Sequence, residues 1–174
     1  MVILLKHKQE KMVNYMKFIS PTDGQLDLQQ TYDTILEFIK EKPEDSYKLM
    51  VGTDSQAGFD NIMFVTAIVI YRVGRGGRFF YHKEIEQPHF GMKQRIFYEV
   101  SKSLDLASKL TGFLASEEDY IDKLRVEIHV DVGERGPTNT IIKEVVGMVV
   151  GSGYNALIKP DAYAASTVAD KFTK

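Results

Sequence analysis

Residues 47–84 read YKLMVGTDSQAGFDNIMFVTAIVIYRVGRGGRFFYHKE, and the spacing of their apolar runs decides the fold. Tyr47 to Thr53 carries Leu49, Met50 and Val51 in succession, the mark of a strand buried on both faces, and stops at Asp54-Ser55-Gln56. Ile62 to Val73 is the most apolar segment of the chain and is rich in β-branched residues. Gly74-Arg75-Gly76-Gly77 separates it from Arg78 to Glu84, which holds Phe79, Phe80 and Tyr81, so the two runs form a hairpin. The connections are too short for crossover helices, and the three strands therefore make an antiparallel meander.

Outward from the meander the chain turns helical on both sides. Upstream, about Asp27 to Lys40 reads as a helix: Asp27 can cap it, Gln30 follows three residues later, and Leu28, Tyr32, Ile35 and Ile39 form its stripe. Downstream, Ile96, Val100, Ala107, Leu110 and Leu114 recur at helical spacing from about Met92 to Ala115. After a charged linker with Glu117, Glu118 and Asp119, Arg125 to Val132 alternates as a strand. Its Val126, Ile128, Val130 and Val132 share one face, and Glu127, His129 and Asp131 share the other. A turn over Gly133 to Pro137, a helix from Thr138 to Val150 and a strand from Tyr154 to Lys159 follow, and Pro160 begins a terminal helix. The expected fold is α/β with a mixed sheet: an extra N-terminal helix, three antiparallel strands, two helix-strand units and a C-terminal helix.

At 174 residues one domain is the expectation, spanning 17–174, with 1–16 as an extension in which Met12 and Met16 offer later starts. Lys plus Arg (22) and Asp plus Glu (24) nearly cancel, so the net charge of -2 does not mark the chain as a nucleic-acid binder, nor does it exclude a local basic patch. The absence of cysteine excludes disulfides, thiolate zinc sites and cysteine nucleophiles, and any metal must be held by oxygen or imidazole. Met1 to Leu5 is too short to be a signal core or to span a bilayer, and the expectation is a cytoplasmic protein with no membrane partner.

Four acids fall at element ends: Asp54 closing the first strand, Glu99 early in the long helix, Asp131 closing the fourth strand and Asp161 after the fifth. The element order resembles the ribonuclease H-like fold. Val51-Gly52-Thr53-Asp54-Ser55-Gln56, His129-Val130-Asp131-Val132-Gly133 and Lys159-Pro160-Asp161-Ala162-Tyr163-Ala164-Ala165-Ser166 are similar to motifs of the YkuK-like bacterial family of that superfamily. The likeness runs from roughly Lys17 to Lys174. It implies that Asp54, Glu99, Asp131 and Asp161 are the catalytic and metal-binding residues for two Mg²⁺ or Mn²⁺ ions. Asp54 would bridge the pair, Glu99 and Asp131 would hold one ion, and Asp161 the other. Hard cations prefer such oxygen ligands, and two ions about 3.5–4 Å apart suit phosphodiester hydrolysis.

Taken singly, each acid has a structural explanation. Asp54 suits a turn, Glu99 a helix flank, Asp131 a polar sheet face shared with His129, and Asp161 a helix N-terminus. Asp170 competes with Asp161 for the fourth place. On one continuous helix the two fall on opposite sides, about 13 Å apart along the axis, and Asp161 shares the inward face with Ala165, Val168 and Phe172. Asp161 is therefore chosen. His129 is read as a hydrogen-bonding neighbour, and His7, His82 and His89 show no ligand spacing. Gly74, Gly76 and Gly77 join two strands and do not open a helix, which makes them a turn and not a phosphate loop. Arg72, Arg75, Arg78 and Lys83 on that hairpin, with Lys93 and Arg95 after it, suit either phosphate contact or a solvated sheet edge.

The leading expectation is a divalent-metal-dependent nuclease acting on RNA, DNA or their hybrid. The alternative is a non-catalytic module of the same fold that binds nucleic acid or a protein. A relative of the actin and sugar-kinase branch is a weaker third reading, because those proteins resemble two such domains.

Overall fold

The computed structural model describes residues 16–87 and 90–173. Apart from Met16, the expected extension lies outside them, as do His7 and His89. The elements are β1 (Lys17–Ser20), β2 (Gly24–Asp27), α1 (Leu28–Lys40), β3 (Tyr47–Ala57), β4 (Ile62–Arg72), β5 (Gly76–Glu86) and α2 (Met92–Leu114). Then come a short α3 (Glu118–Ile121), β6 (Leu124–Gly133), a 3-10 turn (Asn139–Ile141), α4 (Ile142–Gly151), β7 (Asn155–Lys159) and α5 (Ala164–Thr173). Among the described residues the strands form one seven-stranded sheet in the order β2-β1-β5-β4-β3-β6-β7. β3, β4 and β5 are the antiparallel meander, whereas β6 joins β3 and β7 joins β6 in parallel.

The expected α/β architecture with a mixed sheet is present, and its elements arise as the sequence suggests. Asp27 and Gln30 cap α1 reciprocally: the Asp27 carboxylate accepts from the Gln30 N–H at 2.8 Å and the Gln30 side chain accepts from the Asp27 N–H at 2.9 Å. The β4–β5 turn places Gly74 and Gly76 at φ of 77° and 89°, a region that L side chains rarely adopt. α1, α2 and α4 cover one face of the sheet over a core that includes Leu49, Val51, Ile68, Phe80, Leu110, Ile128 and Val145. α5 packs on the other face, where Ala169 meets Val65, Ala67 and Tyr81.

Four boundaries differ from expectation. β3 does not stop at Asp54-Ser55-Gln56 but runs on to Ala57, held by its pairing with β4, so Asp54 lies within the strand and does not close it. The β1–β2 hairpin extends the meander beyond β5, with Ile19 opposite Tyr81. Its strands have four residues each, too few to show alternation, and the pairing comes from the exposed edge of β5. α4 begins at Ile142 after a 3-10 turn and not at Thr138. The terminal helix begins at Ala164 and not at Pro160, because the N–H groups of Asp161 and Ala162 both bond to the Ile158 carbonyl and form a turn. Asp161 is therefore an exposed turn residue, not a member of the inward face of a helix, and the helical-wheel choice between it and Asp170 loses its basis.

Candidate functional site

The site begins where two parallel strands part. β3 and β6 pair from Tyr47 opposite Leu124 up to Gly52 opposite His129, and no further pairing follows. Asp54 and Asp131 each lie two residues past that last pair. Alternation then puts both on the sheet face that Gly52 presents to α5. β6 also bulges here: from His129 opposite Leu157 to Gly133 opposite Lys159 it advances four residues against two on β7. A bulge re-aims side chains, and this one spans Asp131. The carboxyl ends of parallel strands, where neighbours diverge, are the usual ligand crevice of α/β sheets.

Glu99 approaches from the opposite face on α2, only 8% exposed. The hydroxyl of Ser55, the residue after Asp54, donates to its carboxyl at 2.5 Å. One turn further along α2, Ser103 joins a buried hydroxyl chain, at 2.8 Å from Thr53, which is 3.0 Å from Thr66. This chain fixes α2 against β3 at the level of the acids. Burial pushes the Glu99 carboxyl up to about 8; the Asp54 and Asp131 charges add to the rise, while the Ser55 hydrogen bond and Arg95 oppose it. The Asp54 and Asp131 charges thus reach Glu99 from across the sheet.

Each acid also has a partner of its own. Thr173, at the end of α5, donates to Asp54 Oδ2 at 3.1 Å. Lys159 Nζ lies 2.5 Å from Asp131 Oδ1. Gly52 lets α5 come close, since a Cβ there would stand 3.1 Å from that of Ala165 and 3.0 Å from the His129 carbonyl. Asp161 follows Pro160 and precedes Ala162, both of which line a cavity shared with Asp131 and Lys159. Position 170 lies in α5 one turn before Thr173, and the Asp170 side chain lies outside the described residues. His129 is buried and approaches Glu127 at 3.5 Å; burial lowers its pKa, which keeps the imidazole neutral.

All four acids are oxygen donors, and mutually repelling carboxylates suit a hard divalent cation. Among the described residues, however, no three acidic or imidazole groups are grouped so as to hold one ion. The donor chemistry fits; as placed, the side chains remain engaged with Thr173, Ser55 and Lys159.

The hairpin arginines serve a different end of the molecule. Arg72 opposes Tyr47, seven residues or roughly 23 Å along β3 from Asp54. It pairs with Glu41 at 3.2 Å, Arg78 with Asp23 at 3.2 Å, and Arg75 lies 3.8 Å from Asp45. Of that group only Lys83 shares the cross-strand row of Asp54, through Val65. Sequence reasoning assigned no role to Ser55, Lys159 or Thr173. The first two stand inside the quoted motifs, but nothing in their spacing shows which acid they meet.

A mixed sheet with this order, carboxylates at its parallel fork and a lone helix on the second face defines a ribonuclease H-like protein. The chain belongs to that family: the sequence pattern described as Ribonuclease H-like matches residues 30–174. Within it the chain is YkuK-like, being 30% identical over 172 residues to "Uncharacterized protein YkuK" of Bacillus subtilis (strain 168), a match covering 94% of this chain and 100% of that protein. No solved structure matches the chain. Among the described residues no helix is long and apolar enough to cross a membrane.

Proposed function

We propose that this protein is a divalent-metal-dependent nuclease that hydrolyses nucleic-acid phosphodiester bonds. The observation that carries the reading is the fork, where Asp54 and Asp131 share one face beyond the last β3–β6 pair, close enough to add to the rise that burial gives the Glu99 pKa. In this reading Asp54, Glu99 and Asp131 hold Mg²⁺ or Mn²⁺, and Asp161, whose neighbours Pro160 and Ala162 line the cavity beside Asp131, is the fourth carboxylate. Bound there, the cations would activate water and stabilise the departing oxygen. The chain's own part is to orient. Ser55 holds Glu99, Thr173 holds Asp54, and Lys159 neutralises Asp131 until a cation takes its place.

The test is cleavage of single-stranded, duplex, hybrid and branched substrates with Mg²⁺ or Mn²⁺. Cutting that falls at least a hundredfold in Asp54→Asn and Asp131→Asn is expected, and equal cutting by either variant would end the assignment. Asp161→Asn and Asp170→Asn, run side by side, test the fourth position: the larger loss should fall on Asp161.

One observation favours the second reading, a non-catalytic nucleic-acid-binding module: the Lys159 ammonium already sits on Asp131. In that case, Mn²⁺ titration of the purified protein should show no site that Asp131→Asn removes.

A further inference from the structure

The cavity beside Asp131 has a wall that the carboxylates do not account for. It measures about 350 Å³ and is lined by Asp131, Lys159, Ala162, Tyr163, Ser166 and Thr167. Tyr163 is 66% exposed, and only Phe59, at the tip of the β3–β4 connection, is a more exposed large apolar side chain among the described residues. Water-facing aromatic surface is costly, and the turn before α5 holds this ring at the mouth of a cavity. The imidazole of His129 lies behind it, with ring centroids 6.4 Å apart.

We propose that this cavity is a subsite for a single unpaired nucleotide, with its base stacked on Tyr163 and its phosphate near Lys159, so that the substrate is single-stranded at the cleaved position. The inference deepens the nuclease reading and rests on it for the direction of the strand, which leads from Tyr163 toward Asp131. Its size falls at the lower end of small-ligand pockets, on the order of 300 Å³, too small for stacked base pairs. An aromatic face beside a cation is how proteins grip single strands without reading sequence. Within a duplex the base faces are covered by their neighbours, so away from its ends an exposed ring can stack only on a base that has left the helix. Of the groups in the cavity, Lys159 and Tyr163 supply these two elements.

The experiment uses the full chain carrying Asp54→Asn, in EDTA, so that binding is read without cutting. Single-stranded DNA and RNA octamers with one 2-aminopurine, and a blunt DNA duplex of the same length, are titrated by fluorescence. Quenching of the 2-aminopurine and at least tenfold tighter binding of single strands over duplex are expected. Tyr163→Ala should abolish the quenching and weaken single-strand binding about tenfold, and Tyr163→Phe should retain both. Because the ring is exposed, an unchanged Tm will show that Tyr163→Ala is folded. Equal single-strand binding by Tyr163→Ala, or duplex bound as tightly as single strand, overturns the proposal. Absence of cleavage by the parent protein would end the nuclease reading and leave this binding result standing, so the two failures are separable.

Discussion

At the residue scale the site turns on the proton of Glu99. Its carboxyl titrates near 4.5 in an unfolded chain and at about 8 in the fold. Between those values the folded protein holds a proton that the unfolded chain has lost. The metal-free protein should therefore lose stability as pH rises from about 4.5 to about 8 and level off above that. Glu99→Gln should flatten this part of the Tm-against-pH profile, and an unchanged profile would refute it. A cation needs the ionised form, so Mn²⁺ affinity should climb by up to about tenfold per pH unit below 8, with proton release visible by calorimetry. Ser55→Ala removes a bond that favours the ionised form and should move the midpoint higher. The acids themselves were legible in the sequence because they follow apolar runs or interrupt a helical stripe, even though β3 continues past Asp54 and Asp161 stands in a turn. Their partners were not, since Lys159 meets Asp131 through a bulge and Thr173 meets Asp54 across 119 positions.

At the element scale the critical contact is α5 on β3. Glycine at position 52 gives that contact its room: a Cβ would meet the His129 carbonyl at 3.0 Å, Ala165 at 3.1 Å and the Ser166 nitrogen at 3.3 Å, so its neighbours would have to move. Gly52→Ala should cost about 1–3 kcal/mol through overpacking and should lift α5 from the fork, read as a lower Tm together with weaker Mn²⁺ binding. Retention of both would mean that α5 does not help to build the site. Strand and helix identities followed from periodicity, which local sequence carries well. The start of α5 did not. Pro160 fits the first turn of a helix as well as it fits a turn that precedes one, and the bonds to the Ile158 carbonyl that decide between them are invisible in composition.

At the scale of the whole molecule the sheet separates two jobs between its ends. The acids occupy the end where β3 and β6 part. The other end is fastened by Arg72, which bonds to the Phe38 carbonyl at 2.9 Å and the Tyr47 hydroxyl at 3.0 Å and faces the Phe38 ring at 4.4 Å. Arg72→Met should lower Tm and leave cleavage per folded molecule unchanged. A selective loss of nucleic-acid affinity would instead return this arginine to the phosphate path that its position on the hairpin first suggested. Charge counted along a sequence does not reveal which end of a strand it will occupy, and that is why the hairpin arginines read ambiguously. The meander and parallel additions were readable from connection lengths, whereas the β1–β2 hairpin, which precedes the matched residues 30–174, was not.

The hydrogen bond between Thr173 and Asp54 has a consequence in time as well as in space. It closes a loop of more than a hundred residues, and such closures come late because the chain must first surrender the entropy of everything between. During refolding, α1 and the meander can assemble from near neighbours, while the fork waits for α5 to arrive. Competence to bind a cation should therefore return with the slowest refolding phase, after most of the secondary structure has formed.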